Sequence, residues 1–135
     1  LYEDYVRRLP WPVELAEIEV RTGAPSGRVA AEGERMLAAA AGPPGRLLVA
    51  LDESGRDLAS PELADRIRGW QDEGRPALAF AIGGADGLAP AVRAAADLVL
   101  SLGSMTWPHL LVRAMLAEQL YRASAILAGH PYHRG

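Results

Sequence analysis

Residues able to do chemistry sit in three short stretches of this 135-residue chain. The tail His130-Pro-Tyr-His-Arg-Gly135 gathers two imidazoles, a phenol and a guanidinium into one short run. Aromatic rings stack on unpaired bases and guanidinium groups pair with phosphates, so Tyr132, His133 and Arg134 suit an RNA ligand. An imidazole titrates near neutrality, which makes His133 the candidate proton acceptor. His130 and His133 lack a cysteine or a clear third ligand beside them, and a metal site is not expected. A frayed terminus is the plain alternative for the last residues of any chain.

The second stretch is I-G-G-A-D-G-L, Ile82 to Leu88. Gly83 and Gly84 carry no side chain, so their backbone amides can approach a ligand closely. The spacing is not G-x-G-x-x-G, and no Gly-Lys-Ser/Thr follows, which removes the dinucleotide and Walker readings. Asp86 reads as a turn residue bonded to its own backbone. The third stretch is Leu102-Gly103-Ser104-Met105-Thr106-Trp107. It offers successive N–H and C=O groups flanked by small and apolar side chains, which suits an adenosine. His109, just past Pro108, serves as a helix-end contact or touches this loop. Ordinary βα turns with permissive glycines are the competing reading of both loops.

These stretches need a scaffold, and the hydrophobic pattern supplies one. Arg46 to Leu51, Pro76 to Ile82 and Asp97 to Leu102 are short apolar runs typical of strands covered on both faces. Helices are expected over Arg28 to Ala41, from Ser60 to about Glu73 with Ser60 as cap, over Ala89 to Ala96, and over Pro108 to Leu127. Strands alternating with helices mean a parallel sheet with helices on both faces. Leu51, Ile82 and Leu102 end the three runs, and ligands bind beyond the carboxyl ends of such strands. Tyr2 to Leu9 reads as a helix stopped by Pro10. Val13 to Val20 alternates apolar and acidic residues, as a strand with one wet face would. Thr22 to Gly27 and Asp52 to Leu58 read as loop and turn. On the long helix, Glu118 and Arg122 have i, i+4 spacing and read as a solvated pair. Leu111, Met115 and Leu120 give that helix an apolar surface broad enough for a second subunit.

Length fits one domain over residues 1–135. Half the residues are hydrophobic, but few are aromatic. That favours closely packed helices on a sheet over a thick aromatic core. No cysteine occurs, which excludes disulfides and thiolate metal sites. The apolar runs are too short to span a bilayer, and no signal peptide is read, so a cytoplasmic protein is expected. Net charge is −3, a poor match to bulk electrostatic capture of nucleic acid. RNA contact must come from a local patch; Arg7, Arg8, Arg21 and Arg28 around the Thr22–Gly27 loop are candidates, each on its own an ordinary solvated arginine.

The strand, small-residue turn and Pro-started helix from Leu100 to Ala123, the I-G-G-A-D-G-L block and the H-P-Y-H-R tail together resemble the SPOUT superfamily. These are RNA methyltransferases with a knotted α/β fold. The likeness runs from Tyr2 to Arg134 and is to the RlmH type, which methylates N3 of a pseudouridine in 23S rRNA. It implies an α/β fold, a parallel-rich sheet with helices on both faces and a C-terminal trefoil knot. It implies S-adenosylmethionine at Leu51, Gly83, Gly84, Leu102, Gly103, Ser104, Met105, Thr106 and Trp107. It further implies Tyr132, His133 and Arg134 beside that pocket, a homodimer built on the last helix, and the assembled ribosome as substrate, with neither metal nor membrane. Family members carry a strand and a glycine turn ahead of the first helix, so one strand of the sheet is expected to be missing here. Gly135 stands where an acidic residue is expected. A SPOUT enzyme with another RNA target, and a non-catalytic nucleotide- or RNA-binding module, remain alternatives. A receiver domain lacks support without its acidic cluster and late lysine.

Overall fold

The computed structural model describes residues 1–84 and 86–134; Ala85 of the glycine loop and Gly135 of the tail lie outside the described residues. Element order is α1 (Tyr2–Arg8), α2 (Pro25–Ala40), β1 (Leu47–Asp57), α3 (Ser60–Asp72), β2 (Leu78–Ile82), α4 (Pro90–Ala95), β3 (Leu98–Ser101) and α5 (His109–Leu127). The strands form one parallel sheet in the order β2-β1-β3.

Why β1 takes the centre follows from its side chains. Val49 and Leu51 point into a core with Leu63 and Ile67 of α3 and Leu116 of α5. Leu48 and Ala50 point the other way, toward Ala89, Val92, Val29 and Met36. Successive residues of a strand face opposite sides, so an unbroken apolar run must be covered twice. Each fully buried aliphatic side chain contributes about 1.5–3 kcal/mol of transfer free energy. The alanine-rich composition lets the helices come close: a Cβ at Gly33 of α2 would lie 2.5 Å from the Ala89 Cβ.

Four local expectations are corrected. Val13–Val20 forms no strand, and Val13 and Leu15 are 42 % and 50 % exposed. Its alternation has the right period, but a strand also needs a neighbour for its backbone groups. A groove separates this segment from β2; Glu17 pairs with Arg113 at 3.3 Å and Glu32 accepts the Val20 N–H. The Thr22–Gly27 loop is cut short because α2 starts at Pro25, where the ring's fixed φ favours the first helical turn. The Asp52–Leu58 turn belongs to β1, which pairs again after a break: Leu100 faces both Leu51 and Arg56. The cap of α3 is Ala59 rather than Ser60; the Glu62 carboxylate accepts the Ala59 N–H at 2.9 Å.

Candidate active site at the carboxyl edge of the sheet

Register fixes the site first. Leu51 stands opposite Ile82, the end of β2, on one side and Leu100 on the other; β1 runs on to Asp57, and the expected third strand end, Leu102, lies just past β3, which stops at Ser101. With strands about 4.8 Å apart, the loops leaving β2 and β3 start roughly 10 Å from each other. After β2, Gly84 and Gly87 form a bridge and the Gly87 N–H donates to the Gly84 carbonyl at 3.0 Å. A Cβ at Gly83 would sit 2.7 Å from the Gly87 carbonyl carbon, so this tight loop admits only glycine there. After β3, the buried Ser101 hydroxyl donates to the Gly103 carbonyl at 2.9 Å and accepts the Gly103 N–H at 3.0 Å. Gly103 has φ +115°, a conformation open to glycine.

Two openings flank the β3–α5 loop. A cavity of about 370 Å³ is lined by Leu58, Leu63, Leu100–Leu102, Met115 and Glu118. On the other side runs the groove along β2, to which Gly83, Gly84, Asp86 and His109 all contribute. Leu102 therefore lines the cavity while His109, two residues past Trp107, lines the groove. In the loop between them, Thr106 Oγ1 donates to Glu53 Oε2 of β1 at 2.9 Å. Neither of these two openings is lined by both the glycines and Leu102. Leu51 is buried in the core and reaches a ligand only by its backbone. Met105 and Trp107 are exposed.

The tail is placed by one turn. Gly129, at φ +73°, donates its N–H to Ile126, and His130 donates to the Ala125 carbonyl at 2.8 Å. This double closure reverses the chain at the end of α5. Tyr132 then lies edge-on to Tyr121, with ring centroids 4.7 Å apart, and under the Arg122 guanidinium at 4.9 Å. Glu118 Oε1 is the hub. It accepts Arg122 Nε at 2.9 Å, Arg122 Nη2 at 2.7 Å and the Tyr132 hydroxyl at 3.2 Å. Arg122 Nη1 lies 3.0 Å from His133 Nδ1. The hydrogen bond to Glu118 raises the Arg122 pKa further above its ordinary value, against the opposing effect of burial. The Tyr132 phenol is pushed up to about 12 by hydrogen bonding with Tyr5, by burial and by the Glu118 carboxylate.

Tyr132 and His133 are thus brought together, while Arg134 and His130 stay exposed. Glu118 and Arg122, a solvated pair by their spacing alone, form a half-buried clamp on the tail instead. The i, i+4 spacing is visible in the sequence; the reversal at Gly129 is what it lacks, and a glycine after a long helix is the available signal. Glu118 also forms part of the cavity wall, so one carboxylate joins the tail to the opening that Leu102 lines.

A family model described as "Predicted SPOUT methyltransferase" matches residues 1–133. The "Ribosomal RNA large subunit methyltransferase H" of Rhodospirillum centenum is 56% identical over 138 residues, covering 99% of this chain and 88% of that protein. The protein of the same name from Cereibacter sphaeroides (strain ATCC 17029) is 56% identical over 143 residues, again covering 99% and 88%. That of Paracoccus denitrificans is 58% identical over 123 residues, covering 91% and 76%. With matches of this extent, the chain belongs to the SPOUT methyltransferase family.

Proposed function

We propose that this chain methylates N3 of a pseudouridine in 23S rRNA, on the intersubunit hairpin of the assembled ribosome, in the cytoplasm. It is a methyltransferase with the α/β fold of its family, to which the trefoil knot belongs, and its methyl donor is S-adenosylmethionine. The observation that carries the substrate reading is the Glu118 clamp, which docks the Tyr132–His133 tail beside the Leu100–Leu102 strand end.

The residues present fit the cofactor. A cavity of about 370 Å³ lies in the range of small-molecule sites. Its apolar walls suit an adenine face, and Leu102 lines it at the strand end. We assign cofactor contact to Leu51, Gly83, Gly84 and the Leu102–Trp107 loop. When bound, the cofactor supplies a methyl group on a sulfonium, a ready electrophile. The chain's own task is to hold the acceptor nitrogen in line; orientation can contribute about 7–11 kcal/mol, against about 10²–10⁴-fold for one general base. We assign Tyr132, His133 and Arg134 to holding the pseudouridine.

Partner surfaces follow from exposure and charge. Met105, Trp107, Leu110 and Leu111 are 69 %, 38 %, 61 % and 40 % exposed at the start of α5. We assign this apolar end of α5 to a homodimer; Leu120 packs on the core and Met115 on the cavity instead. We read residues 1–135 as one domain. With a net charge of −3, free 23S rRNA should be a poor substrate.

The test incubates the protein and S-adenosylmethionine with ribosomes from cells lacking the modification, followed by nucleoside mass spectrometry. N3-methylpseudouridine is expected on ribosomes and little on naked 23S rRNA. A different methylated nucleoside would redirect the substrate, and absence of cofactor binding by calorimetry would leave a non-catalytic module.

A further inference from the structure

The four arginines with the charge to form an RNA patch do not share one environment. Arg7 pairs with Asp4 and Arg21 with Glu19, so each carries its own counter-charge. Arg28 is half-buried and lines the groove along β2. Arg8 differs from all three. It is exposed, and among the described residues no carboxylate pairs with it. Asp4, at i−4 on α1, is taken by Arg7 instead. The Arg8 guanidinium stands over the Tyr121 ring, 5.9 Å from its centroid, within cation–π reach. Tyr121 in turn meets Tyr132 edge-on at 4.7 Å and Tyr5 at 6.1 Å. Tyr5 lines the cavity, so one cluster of rings connects Arg8, the docked tail and the cavity wall. Arg122 covers a tyrosine of the same cluster, but Glu118 neutralises it. Arg8 keeps its charge toward solvent.

We propose that Arg8 binds a backbone phosphate of the 23S rRNA beside the nucleotide that the tail holds, and so anchors the acceptor strand next to the cavity. This rests on the function proposed above. Phosphate contacts dominate the affinity of nucleic-acid binding. A chain of net charge −3 can supply one only where a cation escapes the chain's own carboxylates, and Arg8 does. A guanidinium presents a planar fork that matches a phosphate with two parallel hydrogen bonds. Such a contact fixes the position of the RNA and carries no base preference. It acts on affinity for the ribosome and leaves cofactor binding alone. The plain alternative is that Arg8, in the last turn of α1, serves that helix end and packs on Tyr121. That role would show in stability and not in the response to salt.

The test measures binding of the full chain to ribosomes from cells lacking the modification, from about 50 to about 200 mM salt. Arg8→Gln and Arg8→Lys are compared with wild type and with Arg7→Gln and Arg21→Gln as controls. Losing one phosphate contact lowers the slope of log K against log salt by about 0.7–0.9. Arg8→Gln is expected to lose that much slope and about tenfold in affinity at low salt, the worth of one charge-assisted bond. Arg8→Lys keeps the charge and is expected to keep the slope while losing part of the affinity. Both controls should stay near wild type. An unchanged slope in Arg8→Gln overturns the proposal. An equal loss in Arg7→Gln overturns it too, because a diffuse field rather than a contact would then be at work. Urea unfolding of the same variants isolates the packing role: a lowered midpoint in Arg8→Gln with no change in slope also overturns it. Calorimetry with S-adenosylmethionine should give the wild-type affinity in Arg8→Gln, and a weakened cofactor would place Arg8 at the cavity instead. Binding is read without methylation, so the two readings fail separately. A different methylated nucleoside would redirect the reaction and leave an Arg8-dependent slope standing, whereas a wild-type chain that does not bind ribosomes sinks the substrate assignment and the contact with it.

Discussion

Replacing Gly55 with alanine tests whether the β1 crossing is as tight as the backbone places it. A Cβ at Gly55 would lie 2.6 Å from the Val99 carbonyl oxygen, 2.7 Å from its carbon and 2.9 Å from the Leu100 carbonyl carbon. All three are backbone atoms of β3, at the point where Leu100 is paired to both Leu51 and Arg56. No side chain can rotate away, so β1 and β3 must part by more than half an ångström. Overpacking of this kind costs about 1–3 kcal/mol, and losing one ladder hydrogen bond adds about 1 kcal/mol. Gly55→Ala is therefore expected to destabilise by roughly 2–4 kcal/mol, a large part of the 5–15 kcal/mol that holds a domain together. Urea unfolding at constant m-value is the assay. Gly69→Ala is the matched control. Gly69 lies inside α3, and a Cβ added there would meet nothing within 4 Å; alanine at this position should stabilise by about 0.5–1 kcal/mol. Opposite signs from the same chemical change are the expected result. A Gly55→Ala variant within about 0.5 kcal/mol of wild type, the scatter of inert surface changes, would refute the crossing geometry.

Three further outcomes are expected. Glu118→Gln keeps the shape of the clamp but weakens charge-assisted bonds worth about 1.5–3 kcal/mol each; methylation of ribosomes should fall at least about tenfold, and an unchanged rate would detach the clamp from catalysis. The Tyr132 phenol has an ordinary value of 10.0 and is raised to about 12 in the fold, so the unfolded chain ionises first. Its contribution is complete below pH 10 and is lost as pH climbs toward 12; urea midpoints of wild type should converge on those of Tyr132→Phe across that window, and parallel curves would count against the raised value. Leu110→Asp combined with Leu111→Asp puts charge on the exposed start of α5; sedimentation should show a monomer where the wild-type chain is expected to be a dimer, and a persistent dimer would move the interface elsewhere.

The pattern of apolar runs was legible because a central parallel strand has no wet face. The expected runs Arg46–Leu51, Pro76–Ile82 and Asp97–Leu102 fall on the strands Leu47–Asp57, Leu78–Ile82 and Leu98–Ser101, and Leu51 stands opposite Ile82, with Leu100 rather than Leu102 on its other side. Val13 to Val20 misled for the opposite reason: alternation reports which side would be wet, not whether a neighbour supplies hydrogen bonds. The β1 extension to Asp57 was illegible because Asp52, Ser54 and Gly55 are turn formers by composition, and only the contact with β3 makes them strand-like. Glu118 escaped for a related reason. A carboxylate four residues before an arginine looks the same whether it faces water or a returning tail.

The two openings bear on how the site would close. Along the chain, the Leu102–Trp107 loop runs from the Leu58–Met115 cavity, which Leu102 lines, toward the groove that Gly83, Gly84 and His109 line. One tie, Thr106 to Glu53, holds its far end, while the Ser101–Gly103 exchange pins its near end. Between these pins, Ser104 and Met105 are exposed. The tail is anchored through Glu118, which also lines the cavity. On the function proposed above, the acceptor base and the methyl donor are held by two separately braced segments of backbone. That arrangement suits a reaction in which alignment, rather than any one side chain, supplies most of the rate.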